Sequence, residues 1–168
     1  MILNSANINV MVKACSKASK VLIRDFGEIE KLQVSLKGPG DFVTASDKKV
    51  EKILVEELQK ARPDYSILSE EIGKINNKNQ EFRWIIDPID GTAAFVAGIP
   101  VFGTLIGLAR DGNPYLGIID HPATDQRWIG VSGVRALLNG REVQTRRSSN
   151  LTDAFLTNSN PDFMDYQE

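Results

Sequence analysis

Two pairs of acidic residues follow apolar runs in the middle of the chain. Asp87 and Asp90 come after the run 84–86, and Glu70 and Glu71 follow another strand-like run. Because strand ends deliver side chains to one rim of a sheet, Glu70, Asp87 and Asp90 converge if the two strands are neighbours. Converging carboxylates repel one another unless a positive charge lies between them. Few basic residues lie nearby, so the predicted partner is a hard cation such as Mg²⁺, which prefers oxygen ligands.

The segment Asp87-Pro88-Ile89-Asp90 adds a geometric argument. Pro88 fixes its own φ and biases Asp87 toward an extended conformation. We therefore expect a sharp bend with both carboxylates on the same side and with the Ile89 carbonyl free as a further oxygen ligand. An aspartate shared between two ions is typical of two-metal phosphoryl sites.

The residues after this segment favour an anion. Gly91 and Thr92 are followed by small residues that permit a helical turn, and the first amides of a helix favour phosphate. The hydroxyl of Thr92 is placed to orient or deprotonate a water if a carboxylate accepts its proton. Asp47 is the candidate for that carboxylate. Together with the acidic residues, this pattern predicts a site for a phosphate monoester.

Each of these acids also has an ordinary structural interpretation. Thr44 and Asp47 resemble a capping box at the start of a helix. Glu70 with Glu71, and Asp87 with Asp90, are also compatible with solvated turns. The occurrence of an acidic pair after each of two apolar runs favours the site. The only histidine, at position 121, is interpreted as a structural or loop residue, and Trp84 and Trp128 are expected in the core.

The composition restricts the class of protein. The chain has 168 residues, of which 42% are hydrophobic and 25% are charged, which suits one globular domain. A net charge of -2 provides no basic field, so we expect neither nucleic acid nor membrane as a partner. A single cysteine excludes an internal disulfide. Without a secretory signal or a membrane-length apolar run, we expect a soluble cytoplasmic protein.

The remaining pattern predicts the elements that position these residues. Apolar spacing indicates helices, and runs rich in Ile, Val and aromatic residues indicate strands. Helices are expected over 10–22, ending near Gly27, and over 44–61; strands are expected within 32–40, 65–69, 82–87, 101–109, 115–120 and 127–131, with a hairpin around Asn139-Gly140. The polar segment 73–81 is predicted to be a loop. Helices followed by a mostly antiparallel meander indicate the α+β class.

Three segments together resemble the inositol monophosphatase family of Mg²⁺-dependent, lithium-sensitive phosphatases: DFVTASDKKVEK, SILSEEIG and WIIDPIDGTAAFVAGIPVFGTLIGL. The stretch that begins GIPVFGTLIGLARDG is most similar to the bacterial histidinol-phosphatase branch. The resemblance covers about 5–145. It implies the layered helix and antiparallel-sheet N-terminal lobe of the inositol monophosphatase and fructose-1,6-bisphosphatase-like fold.

The resemblance also implies a division of the chain. Residues 1–150 would form an N-terminal metal- and phosphate-binding lobe, and 151–168 would form the truncated start of a second lobe. The family's second lobe carries a Trp-Asp-x-Ala-Ala-Gly-like motif, which does not occur in this sequence. We therefore expect the second lobe to be missing.

By resemblance, two or three Mg²⁺ ions would be held by this chain. Glu70, Asp87 and the Ile89 carbonyl would hold the first ion, Asp87 and Asp90 would share the second, and Glu70 would help to hold a third. Because the second-lobe aspartate is absent, the second ion would lack one ligand.

The remaining implied roles are catalytic. Thr92 and Asp47 would activate the attacking water together with Glu70 and the metal, and the Gly91 and Thr92 amides would hold the phosphate. The implied function is Mg²⁺-dependent hydrolysis of a small phosphate ester, inositol monophosphate or histidinol phosphate, by a homodimer. The alternative is a truncated, weakly active or non-catalytic remnant that acts only in metal binding or in assembly with a partner.

Overall fold

A computed structural model of the protein describes residues 5–28, 34–38, 41–146 and 149–154. Its helices are α1 (Ala6–Phe26), α2 (Ala45–Ala61) and the short α3 (Thr92–Val96). Its strands are β1 (Val34–Gly38), β2 (Asp41–Thr44), β3 (Tyr65–Ser69), β4 (Gly73–Ile75), β5 (Asn79–Asp90), β6 (Gly103–Arg110), β7 (Asn113–His121), β8 (Gln126–Val131), β9 (Arg135–Leu138) and β10 (Arg141–Val143). One-turn 3₁₀ helices lie at Pro122–Thr124 and Leu151–Asp153.

Most strands belong to one eight-stranded sheet with the order β10-β9-β8-β7-β6-β5-β3-β4. All neighbours in it are antiparallel except β3 and β5, which run parallel with Ser69 opposite Ile86. β1 and β2 form a separate hairpin. The parallel pair matters most for the site, because the residues that follow β3 and those that end β5 emerge at the same rim.

The helices α1 and α2 pack on one face of the sheet. Helix α1 begins at the N-cap Ser5, whose side chain accepts a hydrogen bond from the Asn7 amide, and ends before Gly27. The buried stripes of the two helices meet the inward-facing side chains of the central strands. The core includes Met11, Ala14, Ala18, Leu22, Val50, Leu54, Leu58, Trp84, Ile86, Ile106, Leu108 and Ile118. Burial of each large apolar side chain contributes about 1.5–3 kcal/mol.

Most of the predicted elements are confirmed. Both long helices, a strand in each of the six predicted ranges, and the antiparallel meander are present. The predicted hairpin turn has left-handed φ values of 48° at Asn139 and 80° at Gly140. Such values match a two-residue type I′ turn.

Two local predictions were wrong. Segment 73–81 is not a loop, because β4 forms there against β3 and β5 already begins at Asn79. Pairing with β3 at the edge of the sheet satisfies the backbone hydrogen-bonding groups of β4, although the segment 73–81 is largely polar. Trp128, expected in the core, is only half-buried and packs edge-on against His121 at 5.3 Å between ring centroids.

Among the described helices, none is both long and apolar enough to cross a lipid bilayer.

Two consecutive isoleucines of β7 test whether the helices cover only one face of the sheet. Ile118 is 2% exposed beneath the helices, whereas Ile119 points to the other face and is 42% exposed. We expect Ile118→Ala to lower the free energy of unfolding by about 2–5 kcal/mol because it opens a core cavity. Ile119→Ala should cost about 1 kcal/mol or less. Urea unfolding measures both, and equal losses would contradict this arrangement.

Candidate active site

The rim of the sheet at the end of β3 and β5 brings Glu70 beside Asp87. Ser69, the last residue of β3, lies opposite Ile86. The Glu70 amide then donates a hydrogen bond to the Ile86 carbonyl at 3.2 Å. The expectation that the two acid-bearing strands are neighbours is thereby confirmed. The geometry follows from parallel pairing, which places both strand ends at one edge.

The Asp87 carboxyl group lies in an unfavourable environment for a charge. Burial raises its pKa to about 8, and repulsion from Glu70, a hydrogen bond with Glu70 and repulsion from Asp90 act in the same direction. Its Oδ1 atom is buried and has no hydrogen-bond partner among the described residues. Near neutral pH, the Asp87 carboxyl of the metal-free protein therefore keeps its proton.

This pair fits a divalent cation. A buried oxygen without a partner costs free energy, and so do two carboxyl groups held in contact. A hard cation that replaces the proton of Asp87 would relieve both costs, and carboxylate oxygens are the ligands that Mg²⁺ prefers. The donor chemistry of Glu70 and Asp87 thus agrees with the predicted metal site.

The described side chains do not form a complete metal coordination site. Asp90 is exposed and lies opposite Gly103 of β6. Within the described ranges, no group of three or more Asp, Glu, His or Cys side chains is arranged to hold a metal ion. Glu70 and Asp87 are in contact, and Asp90 is close enough to raise the pKa of Asp87. The roles of these residues as metal ligands stay a prediction.

A β-bulge replaces the sharp bend expected at Pro88. Asp87 lies opposite Leu105 and Asp90 lies opposite Gly103, so three steps along β5 match two along β6. Leu105 and Gly103 are two residues apart and face the same side of the sheet. Their partners Asp87 and Asp90 therefore also share a side, although residues three apart in a regular strand do not. The bulge re-aims the second carboxylate, as bulges near functional sites often do.

The bulge is held by a hydrogen bond from the neighbouring strand. The buried hydroxyl of Thr104 on β6 donates to the Pro88 carbonyl at 2.9 Å. This bond satisfies a carbonyl that the irregular register removes from the ladder.

Thr92 contacts Asp47, its predicted partner, and also the Ile89 carbonyl. Its hydroxyl donates to the Ile89 carbonyl at 2.9 Å and lies 3.4 Å from Oδ1 of Asp47. The Ile89 carbonyl, expected to be free, thus already accepts one hydrogen bond. A carbonyl oxygen has a second lone pair, which stays available for a ligand.

Asp47 completes a helix cap and also lies beside Thr92. Its Oδ2 accepts hydrogen bonds from the Thr44 amide at 2.7 Å and the Thr44 hydroxyl at 2.6 Å, which completes the capping box of α2. Its Oδ1 faces Thr92. Burial raises the pKa of the Asp47 carboxyl, and the hydrogen bonds from Thr44 partly oppose this shift. The capping role fixes the orientation in which the second oxygen meets Thr92.

Gly91 allows the chain to turn from β5 into α3. Its φ is 81°, and a Cβ atom there would lie 2.9 Å from the Val101 carbonyl oxygen. No other residue fits without displacement of the backbone. The helix α3 then begins at Thr92, as predicted, and its first amides have no carbonyl acceptors within the helix.

Sequence reasoning missed a second buried acid of α2. Glu51 is 3% exposed and accepts a hydrogen bond from the Ile72 amide, just beyond the Glu70-Glu71 pair. In the sequence it reads as one of several acids on a charged helix. Its position four residues after Asp47 was the available signal, because such residues share one face of a helix.

A cavity of about 700 Å³ lies elsewhere, between α1 and the β7–β8 strands. Asp120, His121 and Arg127 line it, but none of the predicted site residues does. Arg127 is paired with the buried Asp120 at 2.6 Å. The charged groups Asp120 and Arg127 of this cavity therefore already compensate each other. We place the proposed chemistry instead at the rim of the sheet that carries Glu70, Asp87 and Asp90, which we call the carboxylate rim.

Comparisons with known proteins identify relatives of the whole chain. A family model described as the inositol monophosphatase family matches residues 4–165. The chain is similar to an inositol-1-monophosphatase of Mesorhizobium japonicum, with 45% identity over 152 residues, which cover 90% of this chain and 57% of that protein. It is also similar to the Nus factor SuhB of Pasteurella multocida, with 31% identity over 154 residues, which cover 92% of this chain and 58% of that protein.

Solved structures share the fold. The extragenic suppressor protein suhB from Bartonella henselae matches with a TM-score of 0.82 and 45% identity, over 85% of this chain and 56% of that one. The Thermotoga maritima IMPase TM1415 matches with a TM-score of 0.74 and 31% identity, over 86% of this chain and 54% of that one. The α+β fold predicted from the sequence is thereby confirmed. The chain spans somewhat over half the length of the relatives that it matches.

The Asp87 carboxyl should make the stability of the metal-free protein depend on pH. Its pKa in the folded state, about 8, lies above its ordinary value of 3.8. Its contribution is therefore fully present below about pH 4 and is lost as the pH rises through about 8. In the presence of a chelator, we expect Asp87→Asn to remove part of this decline and to be more stable than the wild type at pH 8. Urea unfolding at pH 5 and pH 8 measures the difference, and parallel pH profiles would contradict the assignment.

Gly91→Ala should damage the site and the fold together. A left-handed φ and contact with the Val101 carbonyl both oppose a Cβ atom, so we expect a loss of about 1–3 kcal/mol in the free energy of unfolding. The matched control is Gly112→Ala in the β6–β7 turn, where φ is 78° but no atom lies within 4 Å of the added Cβ. A smaller loss at Gly112 is expected in chemical unfolding. Equal losses would show that the close contact at Gly91 is unimportant.

Proposed function

The chain belongs to the inositol monophosphatase family, and on that premise we propose that it is a Mg²⁺-dependent phosphate monoester hydrolase. The proposed substrate is a small polyol or amino-alcohol phosphate, such as inositol monophosphate or histidinol phosphate. Two relatives that are each 45% identical bear the name inositol-1-monophosphatase, which supports the phosphatase class. The observation that carries the proposal is the contact between Glu70 and Asp87, whose buried Oδ1 atom has no hydrogen-bond partner among the described residues.

The proposed metal ligands are Glu70, Asp87, the Ile89 carbonyl and Asp90. Bound divalent cations would lower the pKa of a water nucleophile and neutralise charge on the phosphate. The orphaned Oδ1 of Asp87 and the placement of Asp90 on the same side support this set. Two or three ions are proposed from the family resemblance.

Thr92 and Asp47 would handle the proton of the attacking water. If the Thr92 hydroxyl turns from the Ile89 carbonyl to Asp47, it can pass its proton to the Asp47 carboxylate while its oxygen takes a proton from the attacking water. Burial makes Asp47 a stronger base than an exposed aspartate, because it raises the pKa of the carboxyl. The capping bonds from Thr44 hold Asp47 in place during this exchange.

The Gly91 and Thr92 amides are the proposed phosphate donors. They lie at the start of α3, on the residues that directly follow Asp90. Amides at this position point outward from a helix start, where anions are favoured. Phosphate would thus be held by backbone amides beside Glu70, Asp87 and Asp90.

Other expectations stay predictions. They are the membership of the histidinol-phosphatase branch, the homodimer, the cytoplasmic location, the absence of nucleic-acid and membrane partners, and the boundary at residue 150. Residues 155–168, which contain most of the predicted start of a second lobe, lie outside the described residues.

A second candidate function is metal binding or assembly with a partner, without catalysis. One observation favours it. The sheet face opposite α1 and α2 exposes the apolar side chains of Ile85 and Ile119, at 44% and 42%. A protein of this kind would bind a divalent cation but release no phosphate, which distinguishes it from the hydrolase.

Phosphate release from inositol 1-phosphate in the presence of Mg²⁺ tests the proposed reaction. Thr92→Val keeps the shape of the side chain but removes the hydroxyl, so we expect kcat to fall by about 10²–10⁴-fold, whereas Thr92→Ser should retain most activity. Asp90→Asn should also lose activity. The matched control is Asp111→Asn, because Asp111 lies in the β6–β7 turn away from the rim. Full activity in Asp90→Asn would contradict the metal assignment, and an inactive wild type would contradict the hydrolase.

A further inference from the structure

Helix α2 carries two buried carboxylates on one face, and the proposed reaction uses only one of them. Asp47 faces Thr92, whereas Glu51, four residues later, is 3% exposed and has no role in the function proposed above. Acidic side chains are rarely buried unless hydrogen bonds or charges compensate them. The partners of Glu51 therefore indicate what it does.

Both partners of Glu51 flank the acidic pair. Its Oε1 accepts a hydrogen bond from the Ser69 hydroxyl, just before Glu70, and another from the Ile72 amide at 3.0 Å, just after Glu71. One buried oxygen thus ties down both ends of the segment that carries Glu70 and Glu71. Hydrogen bonds to a charged acceptor are about twice as strong as those between neutral groups.

Apolar packing does not hold this segment. The side chain of Ile72 is 52% exposed, so burial provides little anchoring at that end. On the other side, the contact between Glu70 and Asp87 is repulsive when both groups are ionised. The Glu70 amide bonds to the Ile86 carbonyl at 3.2 Å, and Ser69 pairs with Gly73 of β4 across the segment. Glu51 adds two hydrogen bonds from the side of α2, one at each end of the acidic pair.

We propose that Glu51 is a positioning residue that fixes the Glu70-Glu71 segment and so keeps the Glu70 carboxylate beside Asp87. The consequence for the cation rests on the function proposed above. In this arrangement helix α2 positions two groups of the proposed site. Asp47 contacts the Thr92 hydroxyl, and Glu51 holds the segment that carries Glu70. Hydrogen-bond partners behind metal ligands typically change metal affinity by 10–100-fold when they are removed.

The side chain at position 51 can be varied to separate hydrogen bonding from charge. Glu51→Gln keeps an oxygen acceptor of the same reach but removes the charge. Glu51→Asp keeps the charge but shortens the side chain, so that its oxygen no longer reaches Ser69 and Ile72. The control for stability is Leu58→Ala, because Leu58 is fully buried on the same helix and lies two turns away from Glu51.

The first measurement is amide hydrogen exchange of Ile72 in the metal-free protein, relative to the core amide of Ile106. We expect the relative protection of Ile72 to fall by tenfold or more in Glu51→Asp and Glu51→Ala. It should stay within about threefold of the wild type in Glu51→Gln and in Leu58→Ala. Unchanged protection in Glu51→Asp would overturn the proposed anchor, and should Glu51→Ala fail to fold, Glu51→Asp alone decides.

The second measurement is Mn²⁺ affinity by calorimetry. We expect Kd to rise by about 10–100-fold in Glu51→Asp and to stay within about threefold in Glu51→Gln and Leu58→Ala. An equal loss in Leu58→Ala would assign the effect to stability and overturn the positioning role. If the wild type binds no Mn²⁺, the proposed metal site fails, whereas the exchange of Ile72 still decides whether Glu51 fixes the segment.

Discussion

The repulsion between Glu70 and Asp87 is the constraint on which the rest of the site depends. Parallel pairing of β3 and β5 places the two carboxyl groups at neighbouring strand ends, and burial leaves Asp87 with a pKa of about 8. Protonation of Asp87 makes this arrangement tolerable in the metal-free protein. A divalent cation would neutralise the pair more completely, and its binding would release the proton of Asp87. Structure and proposed function are thus linked through one unfavourable contact.

Several local features hold this contact together. The β-bulge at Pro88 turns Asp90 to the side of Asp87, and the Thr104 hydroxyl supports the bulge from β6. Helix α2 supplies the buried acids Asp47 and Glu51, which hold the residues on the two flanks of the rim. These supports lie on regular elements rather than on long loops, which favours a precise geometry.

The sequence was sufficient to predict most of the elements and the two strand ends that carry Glu70 and Asp87. Apolar periodicity predicted both long helices and the antiparallel strands, because the apolar residues of a buried face recur with the period of the helix or of the strand. The β4 strand was missed because its pairing with β3 depends on tertiary neighbours rather than on its own polar residues. The bulge and the role of Glu51 were missed for a similar reason. A one-residue register shift and a contact between residues 51 and 72 depend on which strands pair, and no local pattern encodes that pairing.

The most direct test of the account is anomalous diffraction from crystals soaked in Mn²⁺. The account predicts an ion at about 2 Å from Oδ1 of Asp87, with Glu70 as a second ligand. A metal-free data set from the same crystals provides the reference for the position of both side chains. The account would be contradicted if no ion lies near Asp87 and Glu70 at saturating Mn²⁺, or if the two carboxyl groups point away from each other.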